Sequence, residues 1–152
     1  MTTLVAVWLT TFAVCVLGSL IPFVNTEIYL LSAVALSPKS YVLPLVIAAT
    51  VGQTVGKIAM YYVGLGVLKL PAGRVQRGLE AMQAKMEARP MWGKLVFFCS
   101  SLVGLPPLYV TAIAAGAVRM NIVFFVVACL VGRFIHFAVV AMVPDLWNRL
   151  FG

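Results

Sequence analysis

Long apolar blocks dominate the sequence and limit what it can fold into. The four blocks are 4–36, 41–68, 95–118 and 122–143. The only charged residues inside them are Glu27, Lys57 and Arg133. The whole chain is 63% hydrophobic and 10% charged, whereas soluble domains are about 45–50% apolar and about 25% charged. Too few charged side chains are present to cover a water-exposed surface, so the sequence predicts an integral membrane protein.

Two of the blocks predict simple membrane crossings and two do not. A spanning helix needs about 20 residues, so blocks 41–68 and 122–143 can each cross once. The other blocks are broken at Pro22 and at Gly104, Pro106 and Pro107, and proline removes a backbone donor from a helix. Broken backbone at membrane depth is tolerated only where it is buried in protein or lines a wet cavity. These breaks predict two re-entrant helical hairpins, with two kinked spans as the alternative.

A basic segment separates the two halves of the chain. Residues 69–94 contain six Lys or Arg and two Glu. Within the segment, Val75, Leu79, Met82 and Met86 recur at helical spacing with charges on the other face, which predicts an amphipathic helix at the membrane surface. Excess positive charge predicts the cytoplasmic side. Anionic lipid headgroups are the expected partner, because no basic patch interleaved with aromatic residues indicates nucleic acid.

A short sequence recurs in the two spanning blocks. Val55-Gly56-Lys57-Ile58 and Val131-Gly132-Arg133-Phe134 each follow a broken block. The order of break, span, basic segment, break and span predicts an inverted repeat with both termini on the outer side. Transporters of this kind place substrate at the midplane between discontinuous helices. The prediction is one all-α membrane domain, with repeats at 1–68 and 95–143, a linker at 69–94 and a tail at 144–152.

The charged residues inside the blocks are the first candidates for a site. An ionisable group in hydrocarbon costs at least about 2.5–3.5 kcal/mol, so it tends to face the protein interior and to have a partner. Glu27 predicts a proton or cation site, with a surface loop as the alternative. Lys57 and Arg133 outnumber this single acid, which favours an anionic ligand. A structural ion pair with Glu27 is the other interpretation of the two cations.

Polar residues near the breaks complete the candidate site. Asn25, Gln53 and Ser101 are candidate ligands, with hydrogen bonding inside the bundle as the alternative. His136 shares a helix face with Arg133 and is interpreted as a packing residue, with a proton relay as the alternative. The cysteines are interpreted as small buried hydrophobes. The sequence has no evident nucleophile–base pair, metal-ligand cluster or phosphate-binding glycine loop, so neither an enzyme nor a metal or cofactor is expected.

Several of these stretches resemble one membrane protein superfamily. Residues 17–31 resemble the first re-entrant segment of the DedA superfamily, also called VTT or SNARE-associated-Golgi-like proteins. Residues 48–57, with Tyr61 and Gly64, are similar to its glycine-rich helix. Ala114-Ala115-Gly116 with Met120 and Phe124-Phe125 resembles the end of its second re-entrant segment. Gly132-Arg133-Phe134 resembles the last helix of the short YqaA-like branch, and the similarity covers about residues 17–138.

The resemblance implies both a fold and a class of function. It implies two opposed re-entrant hairpins in an inverted repeat, and handling of lipids such as undecaprenyl phosphate or phospholipids, with proton coupling. Glu27 matches the acidic residue of the first hairpin. Many members have Asp where this chain has Lys57, and two arginines near the positions of Ser101 and Leu108.

The sequence therefore predicts a multi-pass protein of a bacterial plasma membrane. Its predicted function is transport or scrambling of an anionic lipid headgroup at a midplane site, where Lys57 and Arg133 hold the anion and Glu27 couples to protons or gates the site. Two alternatives are a small proton-coupled exporter of organic cations and a non-transporting protein that binds lipid or a partner. Whether the chain forms a homo-oligomer is open.

Overall fold

The computed structural model of the protein describes residues 2–21, 25–66 and 74–151, and the side chains of 5–21, 25–66, 77–144 and 146. The described chain is helical and contains no strand, which confirms the all-α prediction for that part. A short 3-10 turn, Lys39–Tyr41, precedes the third helix. The helices are α1 (Thr2–Leu20), α2 (Thr26–Leu36), α3 (Val42–Gly64), α4 (Arg74–Ala88), α5 (Pro90–Val103), α6 (Leu108–Ala117) and α7 (Ile122–Phe151).

Two helical stretches are long and apolar enough to cross a membrane. They are Lys39–Gly64, with a mean hydropathy of 1.5, and Ile122–Pro144, with a mean hydropathy of 2.4. These are the two blocks from which single crossings are predicted. The two broken blocks form shorter apolar helices instead, because each interruption divides its block into a pair, α1 with α2 and α5 with α6.

The break between α5 and α6 follows from its local sequence. Gly104 ends α5 with a left-handed φ of 83°, and its amide donates to the carbonyl of Ser100 over 2.9 Å. Glycine adopts this conformation without a Cβ penalty, which makes it the usual residue after a helix end. Pro106 and Pro107 cannot donate backbone hydrogen bonds, and α6 begins directly after Pro107. The corresponding break between α1 and α2 is at 21–25, where Pro22 lies outside the described residues.

The chain divides into two compact units, Met1–Gly56 with Arg133–Gly152, and Lys57–Gly132. Buried Cys15, Leu30, Leu45 and Phe137 bring α1, α2, α3 and α7 together in the core of the first unit. In the second unit, the rings of Phe97 and Phe125 stack with centroids 4.6 Å apart. Both α3 and α7 contribute to both units, and the boundary falls directly before the cation of the repeated motif in each.

The apolar face of α4 contacts protein. Leu79 and Met82 pack against the core of the second unit, and Met86, which belongs to that core, is 2% exposed. Three of the four predicted apolar positions therefore form one face, while the side chain of Val75 is outside the described set. Pro90 occupies the first turn of α5, where its missing amide hydrogen costs nothing.

The long helices carry apolar residues outward. Every fourth residue from Leu43 to Val55 on α3, and from Val123 to Val143 on α7, is a large exposed hydrophobe. Cys99 is also exposed, contrary to the prediction, because it lies four residues after exposed Leu95 on the outward face of α5. Cys15 and Cys129 are buried as predicted.

Polar side chains lie inside. The buried polar and charged residues are Thr11, Ser19, Thr26, Thr50, Gln53, Thr54, Lys57, Ser100, Ser101, Thr111 and Arg133. In water-soluble proteins, Lys and Arg are almost never fully buried unless they are paired. A polar interior inside outward apolar stripes fits a hydrocarbon environment, in which polar side chains face the interior of the helix bundle.

Glycines allow helices to approach closely in both units. In the first unit, a Cβ on Gly52 would lie 2.6 Å from the carbonyl oxygen of Phe12, so α3 meets the backbone of α1. In the second unit, a Cβ on Gly116 would collide with the carbonyl oxygen of Tyr61, and a Cβ on Gly64 with that of Ile113. Small residues give such contacts between membrane helices, where van der Waals packing drives association.

Replacing Gly116 by Ala should destabilise the protein by about 1–3 kcal/mol, because the added methyl meets backbone atoms that cannot rotate away. The matched control is Gly78→Ala on α4, where a Cβ enters open space, and it should stabilise by about 0.4–1 kcal/mol. Unfolding of the detergent-purified variants would measure both. Equal stability of the two variants would contradict the proposed close contact.

Candidate functional site

The first unit pairs the acid of the first broken block with a histidine on α7. His136 Nε2 and Glu27 Oε1 are 2.9 Å apart. An ionised carboxylate only accepts hydrogen bonds, so Nε2 donates when Glu27 is charged. The His136 side chain is 15% exposed and that of Glu27 is 48% exposed. The pair therefore lies at the edge of the unit, with the carboxylate open to its surroundings.

The local sequence places Glu27 in the first turn of α2. Asn25 is the N-cap residue, and its side-chain oxygen accepts the amides of Glu27 at 3.0 Å and Ile28 at 3.2 Å. Asn is among the best N-caps, because it satisfies amides that have no partner inside the helix. An acidic residue there is also favoured by the positive end of the helix dipole. Asn25, predicted as a ligand, thus uses its oxygen to begin the helix that carries Glu27.

A buried hydrogen bond joins the start of α2 to α3. The Nε2 of Gln53 donates to Thr26 Oγ1 over 2.7 Å, and both residues are at most 6% exposed. The buried Oε1 of Gln53 has no hydrogen-bond partner among the described residues. A buried amide oxygen without a partner carries a desolvation cost of about 1–3 kcal/mol. Gln53 thus has one buried hydrogen-bond acceptor that no described residue uses.

The two predicted cations are buried on the long apolar helices. Arg133 is 6% exposed in the first unit, and its guanidinium carbon lies 5.8 Å from the ring centroid of Phe137. It precedes His136 by three residues on α7, so both face the same side of the helix. Lys57 is 5% exposed in the second unit. Both cations make further interactions within the chain.

In the second unit, the hydroxyl of Ser101 lies within hydrogen-bond distance of two backbone carbonyls. Its Oγ lies 2.7 Å from the carbonyl of Phe98 and 3.0 Å from that of Ala128 on α7. The same Oγ lies where a Cβ on Gly132 would be. Ser101, a predicted ligand, thus lies at the contact between α5 and α7.

The first unit has a matching contact between α1 and α3. Ser19 Oγ donates to the carbonyl of Val16, three residues earlier, over 2.7 Å, and it lies where a Cβ on Gly56 would be. In both units, a serine near the end of the first short helix therefore contacts the glycine that directly precedes a buried cation. This agrees with the recurrence of the Val-Gly-cation sequence.

The structure adds His136 to the candidate site and brings several predicted residues together. Asn25 and Glu27 lie in one helical turn, and His136 is within hydrogen-bond distance of Glu27. Gln53 donates a hydrogen bond to Thr26, which lies between Asn25 and Glu27 in the chain. The sequence favours a packing role over a proton relay for His136. The signal that points to it is general: an acid inside an apolar block needs a partner, and His136 is the single histidine of the chain.

In the described part of the chain, no group of three or more His, Cys, Asp or Glu is placed to hold a metal. Comparison of the chain with protein-family models, curated proteins and solved structures finds no match.

The contact between Glu27 and His136 should be measurable as a coupling free energy. A double-mutant cycle with Glu27→Gln and His136→Gln should give about 0.5–1 kcal/mol, because the carboxylate is half exposed and solvent weakens the pair. Unfolding of the four proteins in detergent would supply the values. A cycle of Glu27→Gln with Glu87→Gln, an exposed residue of α4, is the control and should be additive. Additivity in both cycles would contradict the pair.

Proposed function

We propose that this protein is a DedA-like membrane transporter or scramblase that moves an anionic lipid headgroup, such as a polyprenyl phosphate or a phospholipid. In this proposal, α3 and α7 span a bacterial plasma membrane. The pairs α1–α2 and α5–α6 are re-entrant hairpins of an inverted repeat. Lys57 and Arg133 supply the positive charge that attracts the headgroup.

The observation that carries the proposal is the burial of two cations in apolar helices. Lys57 and Arg133 are each at most 6% exposed, yet each lies well inside a helix apolar enough to span a membrane. Ionisable residues in such positions are costly and mark substrate or ion pathways. A buried positive charge favours a ligand of negative charge, and a phosphate accepts hydrogen bonds from both Lys and Arg.

Glu27 has a separate role in this proposal. The sequence has one acid inside the apolar blocks, and this acid forms an ion pair with His136 in the structure. A carboxylate and an imidazole can each accept and donate a proton, so the pair has the chemistry that proton transfer needs. We assign the pair to proton coupling.

The repeated contacts support the inverted repeat. The Ser19–Gly56 and Ser101–Gly132 contacts occur at the same step in each half, one residue before the cation. The short helices on either side of each break are 10–19 residues long. Several are too short to span a membrane alone, which favours hairpins that enter and leave on one side.

Removing the two buried charges should stop transport. Lys57→Gln with Arg133→Gln should lower the rate of flipping of fluorescent phosphatidylglycerol in proteoliposomes by about tenfold or more, the effect of losing about 1.4 kcal/mol of stabilisation. Dithionite quenching of outer-leaflet label measures the rate. The charge-matched control is Arg77→Gln with Lys85→Gln, two exposed cations on α4, and it should flip at the wild-type rate.

Charge-conserving variants separate function from folding. Lys57→Arg with Arg133→Lys should keep most of the rate if positive charge is what matters. An undiminished rate in the Gln variant would overturn the proposal. Flux of an organic cation that is lost in Glu27→Gln would establish the exporter instead, and binding of lipid without flux of any substrate would establish a binding protein.

A re-entrant hairpin also predicts aqueous access at its tip. In a chain without Cys15, Cys99 and Cys129, Leu105→Cys should react with a membrane-impermeant maleimide from one side, because 71% of Leu105 is exposed at the break. Val127→Cys on α7 is the matched control, since Val127 is 52% exposed on an apolar stripe. It should be protected by lipid. Protection of position 105 from both sides would contradict the hairpin.

A further inference from the structure

A cavity in the second unit lies outside the proposed transport residues. It has a volume of about 380 Å³ and is formed by the end of α4, the start of α5 and the turn between α6 and α7. Its polar lining consists of Glu87, Lys94, Arg119 and Asn121. The remaining lining is mostly apolar and includes Met86 and Val118. The cavity is therefore amphipathic.

The charge in this cavity is positive. The ammonium of Lys94 lies 5.5 Å from the ring centroid of Phe124, and Arg119 is exposed. No described carboxylate lies within ion-pair distance of either cation. Glu87 Oε1 accepts a hydrogen bond from Gln83 over 3.0 Å. Two cations against one acid make the cavity attractive to an anion.

Arg119 occupies a position that usually holds glycine. Its φ is 52°, and the amides of Arg119 and Met120 donate to the carbonyls of Gly116 and Ala115, each over 2.9 Å. This pattern is the Schellman ending of a helix, in which the left-handed residue is most often glycine because it has no Cβ. An arginine there carries a conformational cost. The cost is explained if the side chain serves a ligand rather than the turn.

An apolar groove begins one residue beyond the cavity. Ile122, Val123, Val126 and Val127 line a surface depression of about 260 Å³ on the first turns of α7. Asn121, which lines the cavity, directly precedes the groove residues in the chain and caps α7 by accepting the amides of Val123 and Phe124 at 2.9 and 3.2 Å. The helix dipole adds positive character at that end of α7. A cationic cavity followed by an apolar groove matches a phosphate followed by an acyl chain.

We propose that this cavity and groove form a binding site for one anionic phospholipid, distinct from the transport residues. The phosphate lies between Lys94 and Arg119, and an acyl chain lies along Val123 and Val127. The groove favours a lipid over a free phosphate, because inorganic phosphate has nothing to place on it. The basic segment predicted for the cytoplasmic side meets the leaflet rich in anionic lipid. This inference does not require transport.

Native mass spectrometry of the detergent-purified protein can test the site. The measurement uses dioleoyl phosphatidylglycerol in the Lys57→Gln, Arg133→Gln background, so that the transport residues do not contribute binding. Adding Lys94→Gln and Arg119→Gly should weaken phosphatidylglycerol binding about tenfold or more. Arg77→Gln is the control and should leave binding unchanged. Phosphatidylcholine should bind weakly to all variants.

Arg119→Gly alone separates a ligand role from a structural one. Glycine removes the strain of a left-handed backbone at this position, so Tm should rise by about 2–4 °C. Binding of phosphatidylglycerol should fall in this variant, whereas Arg119→Lys should retain most of that binding. A fall in Tm would mean that Arg119 serves the fold and would overturn the proposal. So would unchanged lipid binding in the Lys94 and Arg119 variants, or equal competition by millimolar inorganic phosphate, which would assign the cavity to a free anion.

Discussion

The cost of polar groups in an apolar surrounding is the constraint on which this structure depends. Its long helices have apolar stripes outward, while hydroxyls, an amide and two cations are buried. Every such group must find partners inside the chain or in a ligand. Threonine and serine hydroxyls do so locally, as when Thr50 donates to Val46 and Thr54 to Thr50 on α3. Gln53 is not satisfied by local bonds, and its hydrogen bond to Thr26 links α3 to α2.

Close helix contacts make this interior narrow. Glycines on α3, α6 and α7 replace side chains with backbone contacts, so that only small polar groups such as Ser19 and Ser101 fit between the helices. A long side chain beside such a contact must extend along the helix or toward the interior. A glycine directly followed by a cation therefore marks both a close helix contact and a residue of the candidate site.

Local features of the fold could be predicted from the sequence. The spans follow from block length, the α5–α6 break follows from Gly104 and two prolines, and the face of α4 follows from helical periodicity. Contacts between distant segments could not be predicted. Glu27 and His136 are 109 residues apart, and no periodicity links them. The same limit applies to Ser101, because its hydroxyl contacts a carbonyl of α7 that lies 27 residues further along the chain.

The position of the cations one residue after a contact glycine has a mechanical consequence. Successive residues on an α-helix are rotated by about 100° about the helix axis. The contact of Gly56 with Ser19 therefore fixes the direction in which Lys57 leaves α3. In the same way, the contact of Gly132 with Ser101 fixes the direction in which Arg133 leaves α7. Neither α3 nor α7 can rotate about its axis without breaking the close contact between its glycine and the serine. If α1 or α5 slid, the contact glycine would have to move with it. The cation that directly follows that glycine, Lys57 or Arg133, would then change its position as well. A shift of α1 or α5 would in this way change the direction in which a buried cation points.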